Sequence, residues 1–461
     1  MRNIKLPHTL LLAVTFVAAT ATAAFATDHS EFFDKPFKSG PEVTAKCLEC
    51  HEDAATEVMK SSHWTWSAPQ EIDGKKVNRG KTNAINNFCV SVNANWPRCT
   101  SCHIGYGWKD ASFDFTKAEN IDCLVCHDTT GSYKKTATGA GHPDEAVDLM
   151  HVARNVGAPK RENCGSCHFF GGGGDAVKHG DLDSSMEYPE RSVDVHMAAD
   201  GNDFTCQTCH ETSGHHITGN AMVVSPANAS HIGCEKCHTE APHKESVLNQ
   251  HGAAVACQTC HIPEFAKEEA TKTSWDWSTA GKDFKEEKDE YGRSTYTKAK
   301  GHFTWGKKIV PTYAWYNGSA GAYLLGDKID PSKETLLSYP KGEIADTKAK
   351  IFPFKVHTGK QPYDKKHNIL ITPKVFGDDG FWKTYDWDQA AKLGMAASDL
   401  PFSGEIGFAE TKMYWAINHM VSPKEDALGC LDCHGDQGRM DWKSLGYEGD
   451  PLRTGKSRAE K

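Results

Sequence analysis

Residues 123–127 read Cys-Leu-Val-Cys-His, and this Cys-x-x-Cys-His pattern occurs eight times in the 461 residues of the chain. A composition of 17 Cys and 24 His would produce roughly 0.03 such motifs by chance. The motifs use sixteen of the cysteines, so a framework of disulfides is excluded. In chain order they are Cys47/Cys50/His51, Cys99/Cys102/His103, Cys123/Cys126/His127, Cys164/Cys167/His168, Cys206/Cys209/His210, Cys234/Cys237/His238, Cys257/Cys260/His261 and Cys430/Cys433/His434.

This motif is the attachment signature of c-type haem. The two thiols form thioethers to the porphyrin, and the adjacent histidine is the proximal ligand of the iron. Zinc ribbons also pair Cys-x-x-Cys units, but they do not require a histidine at the fifth position eight times. A thioredoxin-like redox motif occurs once beside a βαβ pattern, not in a string. The sequence therefore predicts eight covalently attached haems c, with sixteen cysteines as anchors and eight histidines as iron ligands.

The second axial ligand of each iron must come from elsewhere in the chain. Two histidines close both faces of an iron and restrict it to electron transfer, whereas an enzyme needs one haem with an open or exchangeable position. Histidines close to the motifs are the best candidates: His63, His151, His179, His196, His216, His231, His243, His251 and His419. By contrast, His29 is predicted to be solvated, and His302, His357 and His367 are predicted to lie on the surface.

The N-terminus has the pattern of a secretory signal peptide over residues 1–26. Arg2 and Lys5 precede an apolar run, and Ala24-Phe25-Ala26 is a typical cleavage site. The apolar run of about 15 residues is too short to span a bilayer, and no other stretch could. With covalent haem, this predicts export to a periplasm without a membrane anchor. The mature chain has a net charge of −11, because the segment carries two of the 52 basic residues and no acidic ones. This acidity argues against nucleic acid as a partner.

The spacing of the motifs divides the mature chain into three parts. Residues 27–261 hold seven motifs, residues 262–429 hold none but are rich in aromatics, and residues 430–461 carry the eighth motif and the C-terminal tail. We expect the middle part to wrap the haems as an excursion of the same unit. The predicted fold class is mainly α with extensive irregular structure, a multihaem cytochrome c fold organised around eight haems. A helix is expected around residues 410–419.

Three features outside the motifs leave alternatives open. Cys89 is the only cysteine without a haem, and it is either a buried small hydrophobe or a reactive thiol, since a thiolate attacks sulfur–sulfur bonds. The run of glycines at 171–174 is either a flexible loop or backbone that passes close to a haem, where no side chain fits. Lys178 follows this run, and its position alone is typical of a solvated lysine.

The sequence resembles the octahaem tetrathionate reductase family of periplasmic cytochromes. Seven clustered motifs and an eighth after a long gap match that family. So do the segments Cys164-Gly-Ser-Cys-His-Phe-Phe-Gly-Gly-Gly-Gly, Val177-Lys-His-Gly-Asp-Leu-Asp, Val195-His-Met and Val255-Ala-Cys-Gln-Thr-Cys-His-Ile-Pro. The resemblance implies that the haem on Cys99, Cys102 and His103 is catalytic and that Lys178 is its distal ligand. It also implies that Cys89 lies beside this haem and that the other seven haems have two histidine ligands.

The resemblance further implies a reductase that cleaves tetrathionate into two thiosulfates with two electrons. The electrons would come from a redox partner, either another cytochrome or a quinol-linked donor. One alternative is reduction of nitrite or hydroxylamine at the same haem, an activity that relatives share. The chain has no Cys-x-x-Cys-Lys motif, which pentahaem nitrite reductases often use. The other alternative is a non-enzymatic electron-transfer cytochrome in which every haem has two histidine ligands.

Overall fold

The computed structural model describes residues 28–88, 91–219, 222, 232–456 and 458. The predicted signal peptide therefore lies outside the described residues. Within them, no helix is both long enough and apolar enough to cross a membrane.

The helices are short, and eight of the twenty described helices overlap a Cys-x-x-Cys-His motif. One helical turn brings residues i, i+3 and i+4 to the same side, so both thiols and the histidine can face one porphyrin. The fifth residue of the motif closes this turn in most copies: the amide of His210, for example, donates to the carbonyl of Cys206 at 2.8 Å. The second motif differs, since it forms a tighter 3₁₀ turn over Cys99–Cys102.

The described residues contain fourteen α-helices and six 3₁₀ helices. The α-helices are α1 (Gly40–Cys47), α2 (Ala54–Val58), α3 (Ser62–Thr65), α4 (Leu124–His127), α5 (Leu149–Arg154), α6 (Arg161–His168), α7 (Cys206–Cys209), α8 (Glu235–His238), α9 (Ser246–His251), α10 (Cys257–His261), α11 (Phe381–Thr384), α12 (Trp387–Ala397), α13 (Cys430–Cys433) and α14 (Pro451–Thr454). The 3₁₀ helices are His29–Phe32, Cys99–Cys102, Ala118–Asn120, Ser184–Met186, Trp277–Thr279 and Lys424–Asp426.

The middle of the chain forms a large β-sheet. The described strands are β1 (Ala68–Ile72), β2 (Lys75–Arg79), β3 (Thr212–Ser213), β4 (His216–Ile217), β5 (Thr271–Asp276), β6 (Tyr296–Thr297), β7 (Gly301–Gly306), β8 (Thr312–Tyr316), β9 (Ala320–Ala322), β10 (Thr335–Pro340), β11 (Lys350–Asp364), β12 (Ile369–Leu370) and β13 (Ile406–Ala416). Nine of them make one sheet in the order β6-β7-β5-β11-β13-β10-β9, with β12 and β8 also paired to β11. The antiparallel pair β11–β13 is its centre, with Lys355 opposite Trp415 and His357 opposite Met413.

The sheet corrects two predictions. A mainly α fold is not confirmed, because the longest described helix has 11 residues and the largest element is a nine-stranded sheet. The helix expected around residues 410–419 is wrong, because Ile406–Ala416 is strand β13. Along this strand every second residue is buried, including Ala409, Met413 and Trp415. This period of two is that of a strand with one face on a core.

The main hydrophobic core joins this sheet to the haem-binding part of the chain. Phe88 and Val177 come from residues 27–261, and they pack in one cluster with Trp275, Met413 and Trp415 of the sheet. The segments around Phe88 and Val177 therefore lie against one face of β11 and β13. This contact positions the residues that the resemblance assigns to the catalytic haem.

Candidate active site and haem-binding residues

Seven of the eight motif histidines face a second histidine within the described residues. Their ring centres are 5.9 to 6.4 Å apart. The pairs are His29–His51 (6.3 Å), His63–His168 (6.2 Å), His127–His215 (6.3 Å), His196–His238 (6.0 Å), His210–His419 (6.3 Å), His243–His261 (5.9 Å) and His251–His434 (6.4 Å).

This spacing fits an iron between the two rings of each pair. Bonds of about 2.0 Å from metal to imidazole nitrogen, with about 1.1 Å from nitrogen to ring centre, place two axial rings about 6.2 Å apart. The residues that would hold haem thus have the separation that haem iron requires. At each pair, the motif supplies both thiols and one histidine, and a distant segment supplies the other histidine.

The pairs agree only in part with the distal histidines predicted from sequence. Five predicted residues face a motif histidine: His63, His196, His243, His251 and His419. The structure places His151, His179 and His216 elsewhere, and the seven paired motif histidines already have other partners. His231 lies outside the described residues. The two remaining motif histidines, His51 and His127, face His29 and His215, which were not among the distal ligands predicted from sequence.

Both missed histidines reach their partners through contacts that are distant in sequence. His29 lies in the first 3₁₀ helix, and its ring stacks on Phe33 as well as facing His51. His215 lies in the hairpin between β3 and β4, where its Nδ1 is 2.8 Å from Glu57 Oε2. A carboxylate that holds Nδ1 orients the ring and leaves Nε2 for a metal. Such a carboxylate is the signal that could have pointed to His215, but only the fold brings it there.

The histidine of the second motif, His103, has a different environment. Its ring is fully buried among Trp64, Trp66, Trp108 and other aromatic rings. Its Nε2 lies 2.7 Å from the carbonyl oxygen of Trp64, and burial lowers the pKa of His103 to about 3. Among the described residues, no second imidazole faces this ring. The second motif therefore lacks the histidine pair that the other seven motifs have.

Three lysines, Lys81, Lys135 and Lys178, act on Cys102 of this motif through their charges, and Lys178 is the one that the resemblance assigns to it. Its Nζ lies 4.8 Å from the centre of the Trp415 ring, and its charge acts on both Cys102 and His168. The backbone here is held by Lys355, whose Nζ donates to the carbonyl of Lys178 at 3.0 Å. Lys178 is thus a partly buried residue between the sheet and the second and fourth motifs, not a solvated lysine.

The glycine run packs against this lysine. A Cβ on Gly171 would lie 3.4 Å from Lys178 Cδ, and one on Gly172 would lie 3.2 Å from Lys178 Cβ and 3.1 Å from Val177 Cγ1. Gly172 also has a φ of +83°, which L side chains rarely adopt. Of the two readings of the run, these contacts favour close passage of the backbone beside the site. Cys89 itself lies outside the described residues, but Phe88 before it is buried in the same core.

The attachment cysteines of successive motifs contact one another. Sulfur atoms from different motifs lie beside each other in the pairs Cys47–Cys123, Cys102–Cys167, Cys164–Cys206 and Cys234–Cys257. Further motifs are close enough for electrostatic interaction in the pairs Cys126–Cys164, Cys209–Cys237 and Cys260–Cys430. These contacts form a series through motifs 1, 3, 4, 5, 6, 7 and 8. The second motif joins this series at motif 4.

Cys50 lies outside these contacts, although the sequence predicts that it anchors the first haem together with Cys47. Its side chain is exposed, whereas that of Cys47 is half-buried. The turn of the motif is nevertheless closed, since the amide of Cys50 donates to the carbonyl of Cys47 at 3.2 Å. The difference arises because the first motif ends the series, so that Cys47 faces inward to Cys123 and Cys50 faces outward. The role of Cys50 as an anchor stays a prediction.

Five other attachment cysteines are exposed as well: Cys209, Cys234, Cys237, Cys257 and Cys430. Unlike Cys50, each of them contacts or interacts with a cysteine of a neighbouring motif. Their exposure therefore does not separate them from the series.

Comparisons with known proteins agree with this geometry. The family described as "Cytochrome c554 and c-prime" matches residues 46–128, and the one described as "Cytochrome c bacterial" matches residues 272–437. An uncharacterized protein of Archaeoglobus fulgidus is 24% identical in an alignment of 245 residues, and the match covers 42% of this chain and 82% of that protein. The crystal structure of an octaheme cytochrome c from Shewanella oneidensis is 58% identical with a TM-score of 0.90. That match covers 94% of this chain and 99% of the Shewanella chain.

Proposed function

Because the chain belongs to the octahaem cytochrome c family, we propose that it is an exported oxidoreductase that reduces tetrathionate to thiosulfate. Covalently bound haem c and a redox role follow from the family. Eight haems and a periplasmic location belong to the proposal. They are supported by the eight motifs and by the signal-like residues 1–26.

The observation that carries the proposal is the exception at the second motif. Seven motif histidines have a second imidazole at the spacing of axial ligands, whereas His103 has none among the described residues. An iron held by His103 would keep a distal position for another group, which is what substrate turnover requires. Lys178 is the residue that the resemblance assigns to that position, and its charge acts on Cys102 of the same motif together with those of Lys81 and Lys135.

The chemistry matches these groups. Haem iron, when bound, supplies electrons one at a time to a substrate at its distal face. Tetrathionate is a dianion, and two added electrons break its central sulfur–sulfur bond to release one thiosulfate from each half, with no proton consumed. The amine of Lys178 can act as a displaceable ligand when neutral, or hold the dianion when protonated. His103 would fix the proximal side from its aromatic cage, for which its Nε2 would have to leave the carbonyl oxygen of Trp64, 2.7 Å away in this structure. Cys89 follows Phe88 in the sequence, and its thiolate would be able to attack the sulfur–sulfur bond of tetrathionate.

The first test is the variant Lys178→Ala, with Lys360→Ala as its control. Lys360 is a half-exposed lysine on β11, paired with Glu410 at 3.6 Å. We expect Lys178→Ala to change the electron paramagnetic resonance signal of one haem and to lower the tetrathionate rate by about tenfold or more, as expected for loss of a charged partner. Lys360→Ala should change neither.

Three outcomes would contradict the proposal in different ways. Unchanged spectra and rates in Lys178→Ala would remove Lys178 from the site. Loss of nitrite reduction with intact tetrathionate reduction would identify a nitrite or hydroxylamine reductase. Eight uniform bis-histidine signals in the unmodified protein, with no turnover of either substrate, would identify an electron carrier.

A further inference from the structure

We propose that His357 and Trp415 form a binding subsite for a sulfur oxyanion beside Lys178. This inference rests on the proposed function and names residues that hold the anion there. His357 is 0% exposed and Trp415 is 4% exposed. Both ring nitrogens of His357 and Nε1 of Trp415 have no hydrogen-bond partner in the described part of the chain. The sequence predicts a surface position for His357, and the structure corrects that prediction.

Buried polar atoms without partners are costly, and a native protein normally satisfies them. Two aromatic N–H groups left unpaired at one place therefore indicate a bound polar group. The two residues lie on the same face of the sheet, because Lys355 pairs with Trp415, His357 pairs with Met413, and alternate residues of a strand share a face. That face is the one on which Phe88 packs.

Phe88 is the point where the two side chains converge. Its ring centre lies 3.9 Å from that of His357 and 5.8 Å from that of Trp415. Asn87 fixes the strand at this point, since its Nδ2 donates to the carbonyl of His357 at 2.9 Å. The rings of His357 and Trp415 therefore both contact the ring of Phe88.

The subsite adjoins the proposed catalytic position. The ring of Trp415 is the one over which Lys178 Nζ lies, at 4.8 Å. Lys355 connects the same elements, with its Nζ 5.3 Å from the Phe88 ring centre and hydrogen-bonded to the carbonyl of Lys178. An anion at His357 and Trp415 would therefore lie beside Lys178.

The charges around His357 favour an anion. Burial, followed by the charges of Lys355 and Lys272, lowers the pKa of His357 well below its usual value. A neutral His357 supplies one N–H donor, and Trp415 supplies another. Asp181 is a carboxylate near Lys355, but it accepts hydrogen bonds from the backbone and ring of His419. Burial also lowers the pKa of Lys355 well below its usual value, so the two N–H donors carry the match to the oxygen atoms of a thiosulfate or tetrathionate group.

The test measures binding of thiosulfate to the haem-loaded protein by isothermal titration calorimetry at fixed ionic strength. His357→Phe removes both nitrogens and keeps an aromatic ring against Phe88, and Trp415→Phe removes only the indole N–H. We expect each variant to raise the Kd by about tenfold, the value of one hydrogen bond to a charged group. His357→Gln retains a side-chain donor and should recover part of the affinity.

The matched control is His302→Phe. His302 lies on β7 of the same sheet, but its Nδ1 already has a partner in Thr279 Oγ1 at 3.0 Å. This variant should bind thiosulfate as the unmodified protein does. Unchanged haem absorption in all variants would show that the fold is intact.

The outcomes separate this inference from the proposed function. Thiosulfate binding that depends on His357, in a protein that does not reduce tetrathionate, would keep the subsite and reject the function. Tetrathionate reduction with an unchanged KM in His357→Phe would keep the function and reject the subsite. Unchanged thiosulfate affinity in both His357→Phe and Trp415→Phe, or no binding by the unmodified protein, would overturn the subsite.

Discussion

Seven of the fourteen histidines that face each other in pairs hold their Nδ1 atoms in hydrogen bonds. His127 Nδ1 lies 2.8 Å from the carbonyl of Gly157, and His434 Nδ1 lies 2.6 Å from Asp450 Oδ1. This arrangement fixes the ring and leaves Nε2 for iron. The sequence alone could predict each motif histidine, because its position follows from the motif. It could not predict these second partners, because nothing local in the sequence marks Gly157 or Asp450.

Asp183 gives a prediction at the scale of one residue. Its carboxyl group is fully buried, accepts from the amide of Ser185 at 2.9 Å, and has a pKa raised by burial to about 6. The folded protein binds this proton more tightly than the unfolded chain does, so protonation of Asp183 stabilises the fold. This contribution to the free energy of unfolding is complete below about pH 4 and is lost as the pH rises through about 6.

We therefore expect Asp183→Asn to stabilise the protein at pH 7 by up to about 3 kcal/mol and to have little effect at pH 4. The amide oxygen keeps the hydrogen bond from Ser185, so only the buried charge is removed. Thermal denaturation at the two pH values measures the difference. Asp378→Asn, at an exposed carboxylate, is the control. A destabilised Asp183→Asn protein at pH 7 would show that the charge is compensated.

At the scale of elements, the short helical turns were predictable and the sheet was not predicted. A motif that must present two thiols and a histidine to one porphyrin requires residues i, i+3 and i+4 on one side, so the turn follows from the chemistry. Strand β13 carried a readable signal, since Ala409, Met413 and Trp415 alternate with Glu410 and Lys412. Strand β11 did not, because Pro353, Gly359 and Pro362 interrupt its pattern and only pairing with β13 satisfies it.

The glycine run gives a prediction at this scale. Gly172 and Gly173 both have a positive φ, of +83° and +99°, but only Gly172 has side chains within reach of an added Cβ. Alanine at either position should cost about 1–2 kcal/mol in stability through the left-handed backbone. Gly172→Ala should also displace Lys178 and alter the spectrum of one haem.

Electron paramagnetic resonance and thermal denaturation of the two variants separate the effects. Gly173→Ala serves as the control, because it has the same kind of backbone strain and no contact with Lys178. Identical spectra for both variants would mean that the run acts only as a turn and that its packing on Lys178 does not position the amine.

At the scale of the whole molecule, the motif count predicted the class of protein, and the fold added a connection between the motifs. The contacts between attachment cysteines run from motif 1 through motifs 3 and 4 to motif 8. The second motif meets this series at the fourth, through Cys102 and Cys167. These contacts therefore provide electrons from either end with a route to the second motif through the fourth. Motif order in the sequence does not reveal this branch, since motif 3 lies between them in the chain.

The variant His63→Met tests this branch. His63 faces His168 of the fourth motif at 6.2 Å, and a methionine ligand in its place raises the potential of that haem. An electron held there is less available to the second motif, by about tenfold for each ~59 mV. We expect tetrathionate turnover to fall by about tenfold or more. Stopped-flow absorption should show that dithionite still reduces the other haems rapidly.

His29→Met, at the first motif, is the matched control. It should slow turnover only if electrons are taken up at that end, and then no more than His63→Met does. Full turnover in His63→Met, with methionine ligation confirmed by magnetic circular dichroism, would show that the second motif receives electrons by another contact.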